Sequence, residues 1–319
     1  MTRAVQATTF PKQTARDELL SMLAFRRPAW TKDENAFISR FLHPLGLTSD
    51  EYGNLFIRIG AAPVLWSCHT DTAHCQCGKQ TLVVKGGVVT TDDKSSDCLG
   101  ADCTAGVWLM VQMIRAGRPG LYIFHRAEEI GGKGSEYIST KRPDLLKGID
   151  YAIAFDRRGR QSVITHQWGG RCCSDAFAIS LAAALDMQHK RDVSGIFTDT
   201  ANYTDLIGEC TNVSVGYFNE HSKKEALDMD YLDLLLAALL KLDSSEFIYE
   251  RKPGEDDEDY SWLYDDADQD PYVQYTSKSM ARFVEDHPDE VADWLENNGV
   301  SIGEIVADIN MRGGVVRKR

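Results

Sequence analysis

The sequence predicts an α/β protein, a three-layer α/β/α sandwich with helices on both faces of a central sheet. Two observations carry this. Apolar runs alternate with stretches of helical period between residues 103 and 155, the pattern of βαβ units. Ionisable groups also stand repeatedly just past apolar runs. His69-Thr70-Asp71 follows Val64–Cys68, Glu128-Glu129 follows Leu121–Phe124, Asp156 follows Tyr151–Phe155, and Asn212–Tyr217 leads to His221. Ligands of open α/β sheets bind outside the carboxyl ends of strands, so the second pattern also marks a candidate site.

The elements follow in order. Residues 13–25 place Leu19, Leu20, Met22 and Leu23 at helical spacing. Thr31-x-x-Glu34 is a capping-box signature ahead of Phe37, Ile38, Phe41 and Leu42, so a second helix starts there. A turn at 50–54 leads to a strand over 55–59, and the next strand is 64–68. The run 82–89, with Gly86-Gly87 inside it, reads as a hairpin. Over 103–115, Val107, Met110, Val111 and Ile114 share one helical face. Asp102 precedes that helix, where the dipole favours negative charge. A strand at 121–124, a helix around 134–140 and a strand at 151–155 come next. Residues 176–187 and 230–242 are further predicted helices, and the second closes a main domain spanning 1–248.

The composition then shifts. Residues 249–276 carry Glu255-Asp256-Asp257-Glu258-Asp259 and Asp265-Asp266, the composition of an acidic linker or arm. Trp262 and Tyr264 permit that arm to dock on a partner or over the site. Residues 277–319 show two short amphipathic helices, one with Val291, Trp294 and Leu295, the other with Ile302, Ile305, Val306 and Ile309. This helical appendage is an oligomerisation arm or a partner module.

The 319 residues exceed one average domain, and 43% are apolar, enough for a sizeable core. A net charge of −13 argues against nucleic acid and against anionic membrane surfaces as partners. No run approaches the ~20 apolar residues of a membrane span. The first twelve residues lack an apolar signal core, so a cytoplasmic location is expected. The eight cysteines form no C-x-x-C knuckle, which fits reduced thiols better than a disulfide framework.

Imidazole and carboxylate are good zinc ligands, and a metal pair needs a carboxylate that can bridge it. Such a pair activates water and polarises a carbonyl, and a separate carboxylate must then move the proton. Adjacent Glu128 and Glu129 suit that division, one as base and one as ligand. Asp71, two residues beyond His69, can orient the imidazole.

The motifs occur in a fixed order: HxD as His69-Thr70-Asp71, LGAD-x-x-AG from Leu99 to Gly106, EE as Glu128-Glu129, then Asp156 and His221. The turn Asp50-x-x-Gly53-Asn54 precedes them. Over residues 15–245 this series resembles the co-catalytic di-zinc exopeptidases, the superfamily of bacterial leucine aminopeptidase, peptidase T and glutamate carboxypeptidase. The resemblance implies a central mixed, mostly parallel sheet and two Zn²⁺ ions, with Co²⁺ or Mn²⁺ as alternatives. It implies that His69 and Asp156 bind one metal, that Glu129 and His221 bind the other, and that Asp102 bridges them. Glu128 would be the general base and Asp71 the orienter of His69. Residues 157–220 leave no room for the lid domain of the peptidase T branch, so the compact, lidless branch is expected. Cys103 departs from the pattern, which has Asp or Asn after the bridging residue.

The resemblance implies cleavage of an amide bond near a chain end, first as an aminopeptidase-like exopeptidase acting on peptides. An N-acyl-amino-acid deacylase or a carboxypeptidase is the alternative, with Arg157 or Arg158 on a substrate carboxylate. In the segment before the last strand, Asp199 is a candidate for a substrate ammonium and Tyr203 for the oxyanion. A non-catalytic, metal-stabilised binding protein is a rival, against which the intact Glu128 argues. His74-Cys75-x-Cys77 offers a third metal site or redox control, with packed loop residues as the plainer reading. Cys172-Cys173 read as buried thiols and His125 as a packing or hydrogen-bonding histidine, while His166 either lines the pocket or packs in the core.

Overall fold

Three apolar runs become strands covered on both faces, which is why they carry no alternating polar side. The computed structural model describes residues 12–254 apart from 168 and 169, together with 288, 291 and 292. In chain order the strands around the site are β1 (Thr48–Ser49), β2 (Leu55–Ile59), β3 (Val64–His69), β4 (Leu82–Lys85), β5 (Val88–Thr91), β6 (Gly120–His125), β7 (Tyr151–Arg157), β8 (Ser162–Ile164), β9 (Lys190–Asp192), β10 (Glu209–Ser214), β11 (Tyr217–Phe218) and β12 (Ala226–Asp228). The helices are α1 (Lys12–Leu23), α2 (Lys32–Phe37), α3 (Ala101–Arg115), α4 (Lys133–Lys141), α5 (Asp175–Leu185) and α6 (Met229–Lys241).

An eight-stranded sheet runs β9-β8-β10-β7-β3-β6-β2-β1. Its centre, β10-β7-β3-β6, is parallel. β2 and β1 add antiparallel at one edge, β8 turns antiparallel to β10, and β9 runs parallel to β8. Every residue of β3, β6 and β10 is buried. Helix α3 is buried from Ala101 to Ile114; it packs on β3 and β7, and α1 and α6 pack against it. Helix α4 stacks on the 3-10 turn Asp199–Tyr203, which packs on β3, β7 and β10. His69, His125 and Asp156 thus end neighbouring parallel strands on one rim of the sheet.

The Asp156–His221 interval supplies β8, α5, β9 and β10, and then β11 of a second sheet. Among the described residues it extends the main sheet and forms no separate lid. The chain divides into two units, Met1–Asp257 and Glu258–Arg319. Most of the expected acidic arm and of the helical appendage lies outside the described residues. Among the described residues no helix is long and apolar enough to cross a membrane.

Two expectations need correction. The helix after Thr31 ends at Phe37 and continues as a π turn, Ile38–Leu42, and a 3-10 turn, His43–Leu45. Thr31 Oγ1 accepts the Glu34 N–H at 3.3 Å, but Glu34 reaches back to the N–H of Trp30 rather than to that of Thr31. Burial against Arg126 draws the carboxylate there. The run 212–217 is also not one strand. Gly216 turns with φ 93°, and a side chain there would lie 2.6 Å from the Tyr231 ring. The chain therefore leaves the main sheet after Ser214. β11 joins a second sheet, β11-β12-β5-β4, which also contains the predicted hairpin. His221 comes from the turn between β11 and β12.

Candidate metal centre and active site

The two oxygens of Asp102 face two different imidazoles. Oδ1 lies 3.0 Å from His69 Nε2, and Oδ2 lies 3.2 Å from His221 Nε2. Around His69, Asp156 Oδ1 lies 3.3 Å from the same Nε2. Around His221, Glu129 Oε2 lies 3.1 Å from Nε2. Glu128 stands apart, with Oε2 4.0 Å from His69 Nε2. The structure therefore brings His69, Asp102, Glu128, Glu129, Asp156 and His221 into one cluster with two lobes that share Asp102.

Local structure holds each member. Asp71 accepts the backbone N–H groups of Glu128 and Glu129 at 3.2 and 3.1 Å. Its backbone oxygen lies 3.1 Å from His69 Nδ1, which leaves Nε2 pointing at the cluster. Behind Glu128, Arg126 forms a buried ion pair with Glu34 at 2.6 Å. Asp156 is pinned by Asn212, which accepts its N–H at 2.9 Å and donates to its carbonyl at 2.8 Å. Thr198 donates to Asp156 Oδ2 at 2.7 Å. A cis peptide joins Asp102 to Cys103. The Cys103 thiol is buried, donates to the Phe155 carbonyl at 3.1 Å and has its sulfur within 4.8 Å of His69 and Asp156 ligand atoms.

The electrostatics are unbalanced without cations. Burial, reinforced by Asp156, Asp199 and Glu129, pushes Glu128 well above the usual carboxylate range. Burial and Asp102 raise Glu129, and the same causes lift Asp156 to about 7. Burial would raise Asp102 too, but hydrogen bonds to His221 and His69 hold it low. His221 is raised to about 12 by its hydrogen bonds to Asp102 and Glu129. Glu129 Oε1 and Asp156 Oδ1 are buried with no hydrogen-bond partner among the described residues. Four carboxylates, two imidazoles and two orphaned oxygens fit a pair of divalent cations, and the mixed nitrogen and oxygen donors suit zinc.

Other candidate residues fall elsewhere. Asp199 is fully buried, with Oδ2 3.2 Å from His125 Nδ1, and its charge acts on Glu128. The Tyr203 hydroxyl lies 2.6 Å from His125 Nε2, so it is engaged in the interior. Arg157 donates to Ser194 at 2.7 Å, and Arg158 pairs with Glu220 at 3.0 Å. His74, Asp97 and Cys98 lie together, but the two His74 nitrogens lie 2.8 Å from Thr72 Oγ1 and 3.1 Å from the Cys98 carbonyl. Cys172, Cys173 and His166 are buried.

Sequence reading missed Asn212, Thr198 and Glu225. Nothing in their spacing distinguishes them from ordinary strand, loop and turn residues.

Solved structures share this architecture. The aminopeptidase PepT from Bacillus cereus aligns over 73% of this chain and 98% of its own, with TM-score 0.60 and 14% identity. A tripeptidase from Staphylococcus aureus aligns over 73% and 98%, with TM-score 0.59 and 14% identity. The TET1 peptidase of Pyrococcus horikoshii aligns over 72% and 99%, with TM-score 0.53 and 14% identity. The fold is that of these peptidases. No family model matches the chain, and no curated protein matches it in sequence.

Proposed function

We propose that this chain is a two-metal exopeptidase of the aminopeptidase type. The observation that carries the reading is Asp102, whose two oxygens face His69 and His221 with a separate, partly buried carboxylate, Glu128, alongside. In this reading His69 and Asp156 hold one cation, Glu129 and His221 the other, and Asp102 both. Bound there, a zinc pair supplies Lewis-acid polarisation of the scissile carbonyl and acidifies water.

The chain's own residues do the rest. Glu128 takes the proton of the attacking water and hands it to the leaving amine. Asp71 fixes the Glu128-Glu129 backbone, so that base and ligand keep their separation. Thr198 holds the Asp156 carboxylate on the first lobe, and Asn212 holds its backbone. The aminopeptidase and the tripeptidase among the solved structures of this fold support an aminopeptidase ahead of a deacylase or carboxypeptidase. Sedimentation tests self-assembly, which the P. horikoshii TET1 peptidase shows as a tetrahedron or octahedral shell.

The test is metal analysis with a matched substrate panel. About two zinc ions per chain are expected, and Glu128→Gln keeps them while losing hydrolysis. Peptides with a free amino group are cleaved, and the same peptides with it blocked are not. Cleavage of only the blocked set moves the reading to a deacylase. Two metals with no hydrolysis of any panel member leave a binding protein.

A further inference from the structure

The turn that delivers His221 is tied to the segment that delivers Asp102 by one side chain. Glu225 lies four residues beyond His221, and it is 1% exposed. Its Oε2 accepts the N–H groups of Leu99 and Gly100 at 2.8 and 2.9 Å. Its Oε1 accepts those of Ala101 and Asp102 at 2.7 and 3.1 Å. These are N–H groups that the start of α3 leaves without helical partners. Gly100, at φ 70°, turns them toward a single point.

The two tied segments come from different layers. Leu99–Asp102 opens α3, which packs on the main sheet. The 219–225 turn links β11 to β12 of the second sheet. His221 is held at φ 57° with its side chain 51% exposed, so its place depends on the anchor of that turn. Glu225 gives its own N–H to Ser222 at 3.0 Å, which closes the turn onto the anchor. Four N–H donors on one carboxylate are charge-assisted bonds, stronger than neutral ones. Glutamine could not substitute, because it would set an NH₂ donor against N–H donors.

We propose that Glu225 is a positioning residue for the second cation: by gripping the Leu99–Asp102 backbone it sets the distance at which Asp102, Glu129 and His221 converge. This rests on the two-metal reading. Glu225 itself touches neither metal nor substrate; it acts through the two segments it joins.

The experiment is zinc binding by the full-length chain, measured by chelator competition, for wild type, Glu225→Gln and Glu225→Asp. In Glu225→Gln one zinc is expected to bind about tenfold more weakly or worse, and the other within about twofold of wild type. Hydrolysis by this variant recovers as zinc is raised, whereas Glu128→Gln does not recover at any zinc concentration. Circular dichroism of the metal-free protein reports whether the variant folds. Should Glu225→Gln not fold, Glu225→Asp, which keeps the charge on a shorter arm, is expected to show the same selective loss to a smaller degree. A folded variant that keeps both zincs at wild-type affinity overturns the proposal, as does equal weakening of both. Wild-type protein that binds no zinc overturns the two-metal reading along with it.

Discussion

One carboxylate oxygen of Asp71 accepts the backbone N–H of Glu128 at 3.2 Å. The other takes that of Glu129 at 3.1 Å. A residue expected only to orient His69 therefore also sets the loop that carries the base. In Asp71→Asn one of those acceptors becomes an NH₂ group facing an N–H. We expect kcat/KM to fall roughly 10–100-fold with the fold intact, as for other residues that support metal ligands. Steady-state kinetics beside circular dichroism check this; activity within twofold of wild type would refute the role.

Thr198 supplies the hydroxyl on Asp156 Oδ2 at 2.7 Å. Thr198→Val keeps the shape and removes the donor, so one zinc should bind about tenfold more weakly. Thr198→Ser should stay near wild type. Chelator titration of the two variants separates the lost hydrogen bond from lost packing, and equal affinities in both would sink the idea.

Gly134 has no room for a side chain. An added Cβ would lie 2.3 Å from the Arg126 carbonyl, which accepts the Gly134 N–H, and 2.3 Å from Asn54 Oδ1, which accepts the Arg126 N–H. Gly134→Ala should destabilise the protein by roughly 1–3 kcal/mol or more. Gly170→Ala, where the nearest atom would be 3.8 Å away, is the control. Urea unfolding of the pair gives the difference directly.

Acid should weaken the fold through His189. Burial lowers this histidine to about 4, its Nε2 lies 2.9 Å from the Tyr231 hydroxyl, and Nδ1 has no hydrogen-bond partner among the described residues. The unfolded chain binds the proton near pH 6.5 and the folded chain only near 4. Stability from this group is therefore fully present above about pH 6.5 and is lost progressively as pH falls toward 4. The shift corresponds to a few kcal/mol at most, on the order of 3. Urea midpoints measured from pH 7 to 4.5 should fall less steeply in His189→Gln, and parallel profiles would count against the assignment.

The strands were legible because burial on both faces leaves a continuous apolar run, as in Val64–Cys68 and Tyr151–Phe155. The acids and histidines beyond them were legible because their order along the chain follows the order of strand ends. The 212–217 run misled because apolar content does not reveal a strand that changes sheets at Gly216. The Asp199 and Tyr203 environments were equally hidden, since both depend on where His125 points.

By itself the sequence determined the sheet, its central strands and the list of candidate ligands. Those depend on local pattern, which neighbouring residues carry within a few positions. Only the tertiary structure decided which oxygen of Asp102 faces which imidazole, and that Glu225 clasps a segment 123 to 126 residues away. Such contacts are made between loops of different sheets, and their geometry is set by packing rather than by any spacing along the chain.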